Sequence, residues 1–137
     1  MKSEISVNWL KNMAFETKIN GHSIIIDASE EFGGEDKGPP PKPFVLLALA
    51  GCTAMDVISL LKKFRMDVKD LKVTVEGDLS EEHPKQYTKM HIIYRITGNN
   101  IDIKKVEKAV ILSQDRYCGV SAQYKKGLDI SHKIIIN

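Results

Sequence analysis

The chain has 137 residues, of which 42% are hydrophobic and 28% are charged. These are the proportions of an ordinary soluble protein that can form one hydrophobic core. Its 20 basic and 18 acidic residues give a formal net charge of +2, and no basic stripe interleaved with aromatic residues occurs, so composition gives no electrostatic case for nucleic-acid binding.

The N-terminal part of the chain is predicted to be β-structure. Alternating or β-branched runs predict strands over about residues 3–27, at 3–10, 14–19 and 22–27, and Asn20-Gly21 is a strong two-residue hairpin signal because both residues tolerate positive φ. The following segment, 28–43, is rich in glycine and proline, which predicts a long loop. No secretory signal is recognisable at the N-terminus.

A long apolar segment, 44–63, is predicted to be the central helix, since Pro43 suits a first helical position and leucine and alanine favour helix. Its length approaches that of a membrane span, but Asp56, Thr53 and Ser59 lie within it, so we expect no membrane insertion. Because the segment is apolar nearly all round, burial on every side is expected. A chain of this size cannot easily surround such a helix, which predicts burial at a homodimer interface.

Strands alternate with helices in the remainder of the chain. Alternation predicts two strands within 71–97, an amphipathic pattern predicts helices within 102–126, and a last strand is expected at 130–136. We therefore predict a single α+β domain covering residues 1–137.

The only two cysteines, Cys52 and Cys118, are the most informative residues. A buried cysteine is often a small core residue, and that interpretation remains open for both. Their wide separation in sequence, with no histidine at ligand spacing, does not match a zinc motif, so no metal ligands are assigned. In a reducing cytosol, a cysteine pair is more often catalytic or redox-sensing than a structural disulfide. If the two sulfurs meet in space, they would form a redox site.

Two segments of the chain resemble those of a known family. Gly33-Gly-Glu-Asp-Lys-Gly-Pro-Pro-Pro-Lys-Pro-Phe-Val-Leu-Leu-Ala-Leu-Ala-Gly-Cys-Thr-Ala-Met-Asp56 and the later Arg116-Tyr-Cys-Gly-Val-Ser-Ala122 resemble the OsmC/Ohr family of osmotically inducible and organic hydroperoxide resistance proteins. The spacing between the segments and the order of elements agree over nearly the whole chain.

The resemblance implies an OsmC-like fold, in which antiparallel sheets wrap around central helices in an intertwined homodimer. It also implies that Cys52 is a peroxidatic thiol and Cys118 a resolving thiol, in a cytoplasmic enzyme that reduces organic hydroperoxides. The reductant would be an external thiol, of the dithiol or lipoyl type, with no bound cofactor.

The chain departs from the peroxidase members of the family at three positions. Lys42 lies where those members carry a glutamate, no arginine precedes Arg65 where they carry an activating arginine, and Gly119 replaces a proline after the second cysteine. The sequence leaves the compensating residues open.

The candidates for activating or substrate-site residues are charged side chains in the hairpin, the loop and the segment before Cys118. They are Lys18, Lys42, Glu35, Asp36 and Arg116.

Three functional hypotheses therefore remain. The first is a thiol-dependent peroxidase that acts on organic hydroperoxides. The second is a non-catalytic or redox-sensing dimer of the same fold. The third is a dimer that binds an apolar small molecule at the subunit interface.

Overall fold

A computed structural model describes residues 1–137 as two compact units, Met1–Val45 and Leu46–Asn137. The α+β class predicted from the sequence is confirmed. The assignment of the whole chain to one domain stays a prediction.

The N-terminal unit contains a three-stranded antiparallel sheet formed by β1 (Asn8–Lys11), β2 (Ala14–Ile19) and β3 (His22–Ile26). Asn20 and Gly21 connect β2 and β3 with φ angles of 49° and 83°, so the predicted hairpin turn is confirmed. The first strand is shorter than predicted, because 3–7 have no strand partner and are exposed throughout. The alternation of apolar residues therefore predicted a longer first strand than the structure shows.

The loop after β3 is held by the carboxylate of Asp27, which accepts backbone N–H bonds from Ala28, Glu35 and Lys37 at 2.7, 3.3 and 3.1 Å. The bond from Lys37, supported by the other two, lowers the pKa of Asp27 below its ordinary value of 3.8. A short 3-10 turn at Glu30–Phe32 lies within this loop. The segment predicted to be irregular is thus an ordered loop.

The helix α1 (Pro43–Lys63) begins at the predicted proline and contributes Leu49, Thr53, Val57, Leu60 and Leu61 to the core. Its outward side remains apolar, with Leu47 60% and Met55 73% exposed. By length and composition α1 could cross a membrane, but a core helix of a soluble protein passes the same test.

The sheet of the C-terminal unit consists of β4 (Asp67–Leu79), β5 (Tyr87–Asn99) and β6 (Asp129–Ile136). β4 and β5 pair antiparallel, whereas β6 pairs with β5 in parallel. The antiparallel sheets that the resemblance implies therefore include one parallel pair here, β5 with β6. The chain between β5 and β6 is long enough for a crossover connection, which parallel pairing requires.

That crossover consists of α2 (Ile103–Leu112), a π-helical turn at Ser113–Tyr117 and α3 (Gly119–Tyr124). The predicted cap of α2 is confirmed, since the Asp102 side chain accepts the N–H of Lys104 at 3.0 Å. The core of this unit combines alternate residues of β5 with one side of α2. These buried residues are Met90, Ile92, Tyr94, Ile96, Val106, Ala109 and Val110.

Candidate active site

Helix α1 places Cys52 and Asp56 one turn apart on the same side, because residues four apart are neighbours on a helix surface. Cys52 is half-buried. Cys118 follows the π-helical turn and caps the N-terminus of α3, where its sulfur accepts the N–H of Ser121 at 3.3 Å. The side chain of Cys118 is only 3% exposed. The two thiols thus come from two different elements of one unit.

The fold brings these groups together. The Sγ atoms of Cys52 and Cys118 and a carboxylate oxygen of Asp56 all lie within 4.8 Å of one another. Both cysteines are free thiols. The two sulfurs therefore lie close together in space, as a two-cysteine redox site requires.

Burial, together with the adjacent Cys52, raises the pKa of the Cys118 thiol to about 11, against the opposing effect of the Ser121 amide. Cys118 is therefore a neutral thiol at physiological pH. Cys52 is the more exposed of the two cysteines.

A buried network of polar side chains supports the site. The hydroxyl of Thr53 lies 2.6 Å from that of Tyr94 and 2.8 Å from that of Ser113. Ser113 donates to Asp56 at 2.9 Å, and Gln114 donates to Thr53 at 3.1 Å. Burial raises the pKa of Tyr94 to about 12, so this phenol stays neutral.

The network extends to the second cysteine segment, since Ser121 donates to the side-chain oxygen of Gln114 at 2.8 Å. No buried side-chain nitrogen or oxygen lacks a hydrogen-bond partner. Both cysteine segments are therefore held by one network, because Thr53 follows Cys52 and Ser121 closes the turn that begins at Cys118. Sequence reasoning missed this network, although Thr53 is a polar residue inside the otherwise apolar segment 44–63.

The other predicted site residues have the following positions. Arg116 is exposed, and its guanidinium lies 5.8 Å from the ring centre of Tyr117. Lys18, Lys42, Glu35 and Asp36 all belong to the N-terminal unit.

Within the N-terminal unit, Lys18 is exposed on β2 and Lys42 directly precedes α1. Glu35 forms an ion pair with Lys37 at 2.9 Å. Asp36 has a positive φ of 52° in the loop. The roles of all four residues, and of Arg116, stay predictions.

Two pockets bear on function. One, of about 360 Å³, is lined by Asp56, Ser59, Leu60, Lys63 and Tyr117, and so reaches the carboxylate of the site. The other, of about 640 Å³, lies within the N-terminal unit. Its lining is mainly apolar and includes Val7, Met13, Phe15, Ile26, Phe32 and Pro40.

Comparison with protein families matches this chain to a known family. The model of the OsmC family, described as OsmC-like protein, matches residues 34–133. Among curated proteins, Protein YhfA of Escherichia coli strain K12 is 35% identical over 127 residues, which are 92% of each chain.

Solved structures show the same fold. A hypothetical protein from Aquifex aeolicus VF5 is 32% identical with a TM-score of 0.82, covering 100% of this chain and 99% of its own. An organic hydroperoxide resistance protein OsmC from Legionella pneumophila, also described as a predicted redox protein, is 15% identical with a TM-score of 0.68. That likeness covers 98% of this chain and 97% of the Legionella chain, and at this identity it shows the fold alone.

Proposed function

Because this chain belongs to the OsmC-like protein family, we propose that it is a thiol-dependent peroxidase that reduces organic hydroperoxides. Cys52 is the attacking thiol and Cys118 the resolving thiol. The observation that carries this proposal is the convergence of the two free thiols from α1 and from the start of α3.

The difference in exposure between the sulfurs supports this order of attack. Cys52 is half-buried, whereas Cys118 is buried and its raised pKa keeps it protonated. A thiolate is the nucleophile in such reactions, and an incoming peroxide meets Cys52 first.

The chemistry balances with two thiols and one reductant. The Cys52 thiolate attacks one peroxide oxygen, the O–O bond breaks, and the alkoxide takes a proton and leaves as an alcohol. Cys118 then attacks the sulfenic sulfur of Cys52, which forms a disulfide and releases water. An external dithiol, such as a lipoyl group, returns two electrons and two protons, so no bound cofactor is needed.

The cation that activates Cys52 is a further part of the proposal, because the attacking species is a thiolate and no arginine precedes Arg65 in this chain. Lys18, Lys42 and Arg116 are the candidates, and Glu35 is the candidate that orients such a cation. Replacing each cation by alanine and following the pH dependence of Cys52 alkylation would identify the residue, since its loss would shift the reaction to higher pH.

We also propose that the protein is a cytoplasmic homodimer. The exposed apolar side of α1, with Leu47 and Met55, supports it, because apolar area of this kind is commonly covered by a partner. Two free cysteines suit a reducing compartment.

The deciding experiment is peroxide consumption by the reduced protein, with cumene hydroperoxide and hydrogen peroxide offered separately. Dithiothreitol or dihydrolipoamide serves as donor, and Cys52→Ser and Cys118→Ser are assayed beside the wild type. We expect a preference for the organic peroxide that disappears with Cys52→Ser. The absence of turnover with either donor, from folded protein with free thiols, would contradict the proposal.

A second candidate function is the binding of an apolar small molecule, which the apolar pocket of the N-terminal unit favours. Its volume of about 640 Å³ is within the range of ligand sites. Organic extraction of the purified protein followed by mass spectrometry would detect a co-purifying ligand. Phe32→Ala, which opens the lining, should lower the amount recovered.

A further inference from the structure

The candidate active site also has the composition of a cation site. Two sulfur atoms and one carboxylate oxygen, from Cys52, Cys118 and Asp56, lie within 4.8 Å of one another. No short sequence motif indicates this group of ligands, because Cys118 lies far along the chain from Cys52 and Asp56. The fold, and not a short motif, supplies the ligand set.

We propose that Cys52, Asp56 and Cys118 bind a thiophilic divalent cation of the Zn²⁺ type. Thiolate sulfur and carboxylate oxygen are both established Zn²⁺ ligands, and three protein ligands leave a fourth tetrahedral position for water. Two thiolates and one carboxylate carry three negative charges, of which the cation neutralises two.

The distances are compatible with this assignment. With a Zn–S distance of about 2.3 Å, two sulfurs on a tetrahedral ion are about 3.8 Å apart. The two sulfurs, which already lie within 4.8 Å of one another, need to close by at most about 1 Å.

Hydrogen bonds support the orientation of two of the three ligands, Asp56 and Cys118. Ser113 donates to Asp56 at 2.9 Å, and the amide of Ser121 donates to the Cys118 sulfur at 3.3 Å. Ser113 is itself fixed by Thr53 at 2.8 Å. Ligating groups in metal sites are commonly held in this way, and the loss of such a support lowers affinity by about 10–100-fold.

The pocket lined by Asp56, Lys63 and Tyr117 gives the ion a route to the site. On binding, each thiol releases its proton to water, and both sulfurs become metal-bound thiolates.

The consequence for activity rests on the proposed peroxidase function. A cation held by both sulfurs blocks attack by Cys52 and also prevents the Cys52–Cys118 disulfide. Peroxide reduction and metal binding are therefore mutually exclusive states of one thiol pair.

The test uses the full-length, reduced, metal-free protein, titrated anaerobically with Co²⁺ and then with Zn²⁺. We expect one Co²⁺ per chain, an intense thiolate-to-cobalt charge-transfer band, and loss of that band when Zn²⁺ is added. Cys52→Ser and Cys118→Ser should each weaken the band and the affinity. Asp56→Asn and Ser113→Ala should each weaken Co²⁺ binding by about 10-fold or more.

The matched control is Asp115→Asn, which removes an exposed carboxylate that pairs with Lys125 at 3.7 Å and lies outside the ligand set. Its Co²⁺ affinity should equal that of the wild type. The proposal is overturned if no charge-transfer band develops, or if Asp56→Asn binds Co²⁺ as tightly as the wild type does. Circular dichroism of each variant separates loss of a ligand from loss of the fold.

A second arm measures the effect on peroxide chemistry without a dithiol, since dithiols chelate Zn²⁺. Pre-reduced protein is mixed with one equivalent of cumene hydroperoxide, with and without Zn²⁺, and a chelator is then added. We expect Zn²⁺ to slow the single turnover and the chelator to restore it. If no peroxide is consumed in either sample, the proposed peroxidase function fails, whereas the Co²⁺ spectrum still decides the metal site.

Discussion

The hydroxyl groups of Thr53 and Tyr94 lie 2.6 Å apart in the core, and both side chains are fully buried. This contact joins α1 to the middle strand of the C-terminal sheet directly beside Cys52. A polar contact in such a place stabilises the fold only while every member of its network has a partner.

Tyr94→Phe tests this contact. The change removes one hydroxyl but leaves Thr53 bonded to Ser113 and Gln114, so we expect a loss of about 1–1.5 kcal/mol in the free energy of unfolding. Urea denaturation of the reduced protein measures it. Tyr117→Phe, at an exposed tyrosine, should change stability by less than about 0.5 kcal/mol. Equal effects at the two positions would refute the role of the network.

The two thiols should differ in their rates of alkylation. Cys118 is 3% exposed, whereas Cys52 is half-buried, so iodoacetamide should modify Cys52 at least about 10-fold faster in the native, metal-free protein, because a reagent must reach the sulfur. Peptide mass spectrometry at timed intervals gives both rates. The denatured protein serves as the control, where the difference should vanish. Similar native rates would count against the order of attack.

Asp27→Asn should loosen the loop that follows β3. An asparagine side chain has one acceptor oxygen, so it cannot receive all three amides that Asp27 holds. Hydrogen exchange at the amides of Glu35 and Lys37 should accelerate. Asp36→Asn, in the same loop, is the control and should leave their exchange unchanged.

Because of the same carboxylate, the stability of the protein should decline at acidic pH. The pKa of Asp27 in the folded protein lies below its ordinary value of 3.8. Its contribution to the free energy of unfolding is therefore complete above pH 3.8 and is lost as the pH falls through the folded pKa. Thermal unfolding followed over this range should show a shallower acid decline in Asp27→Asn than in the wild type. Parallel curves would show that another group controls the decline.

Met55→Glu should weaken self-association. Met55 is 73% exposed on α1, and a buried charge at a subunit contact is costly. Sedimentation equilibrium should find a dimer for the wild type and a raised dissociation constant for the variant. Lys62→Glu, a charge change at the exposed end of the same helix, is the control. A monomeric wild type would rule out the dimer.

Gly119→Pro should stabilise the protein by about 0.4–1 kcal/mol, because it restricts the unfolded chain at a first helical position. The preceding Cys118 has φ −78° and ψ 100°, an extended conformation that proline accepts after it. Apart from its chain neighbours and the backbone of its own helix, no atom lies within 4 Å of a Cβ built on Gly119. Urea denaturation measures the gain, with Gly119→Ala as the control for the added Cβ alone. A loss of stability would mean that the Gly119 N–H is used in the fold.

The sequence predicted the larger elements well because their signals are local. The apolar run 44–63 corresponds to α1, and the Asn20-Gly21 turn and the Asp102 cap are where expected. The pairing of β6 with β5 was not predictable in the same way. A strand can show the same alternation of apolar and polar residues whether its partner is parallel or antiparallel. Only the path of the connecting segment determines the direction of the pairing.

The two cysteines of the site could be predicted from the sequence, but the polar network around them could not. Two cysteines in unusual segments, with a family resemblance, were enough to pair Cys52 with Cys118. Ser113 and Gln114 gave no such signal, because their burial depends on the wider turn that follows α2. A polar residue at the end of an amphipathic helix is usually solvated, so long-range packing alone reveals the network.

The π-helical turn at Ser113–Tyr117 places one residue more between α2 and Cys118 than α-helical winding would. Because the wider winding absorbs the extra residue, the segments on either side keep nearly the orientation that a continuous α-helix would give them. The pairing of Cys118 with Cys52 is therefore compatible with a turn of either length. What the extra residue changes is which side chains of the turn face the core, and in this chain they are the polar Ser113 and Gln114.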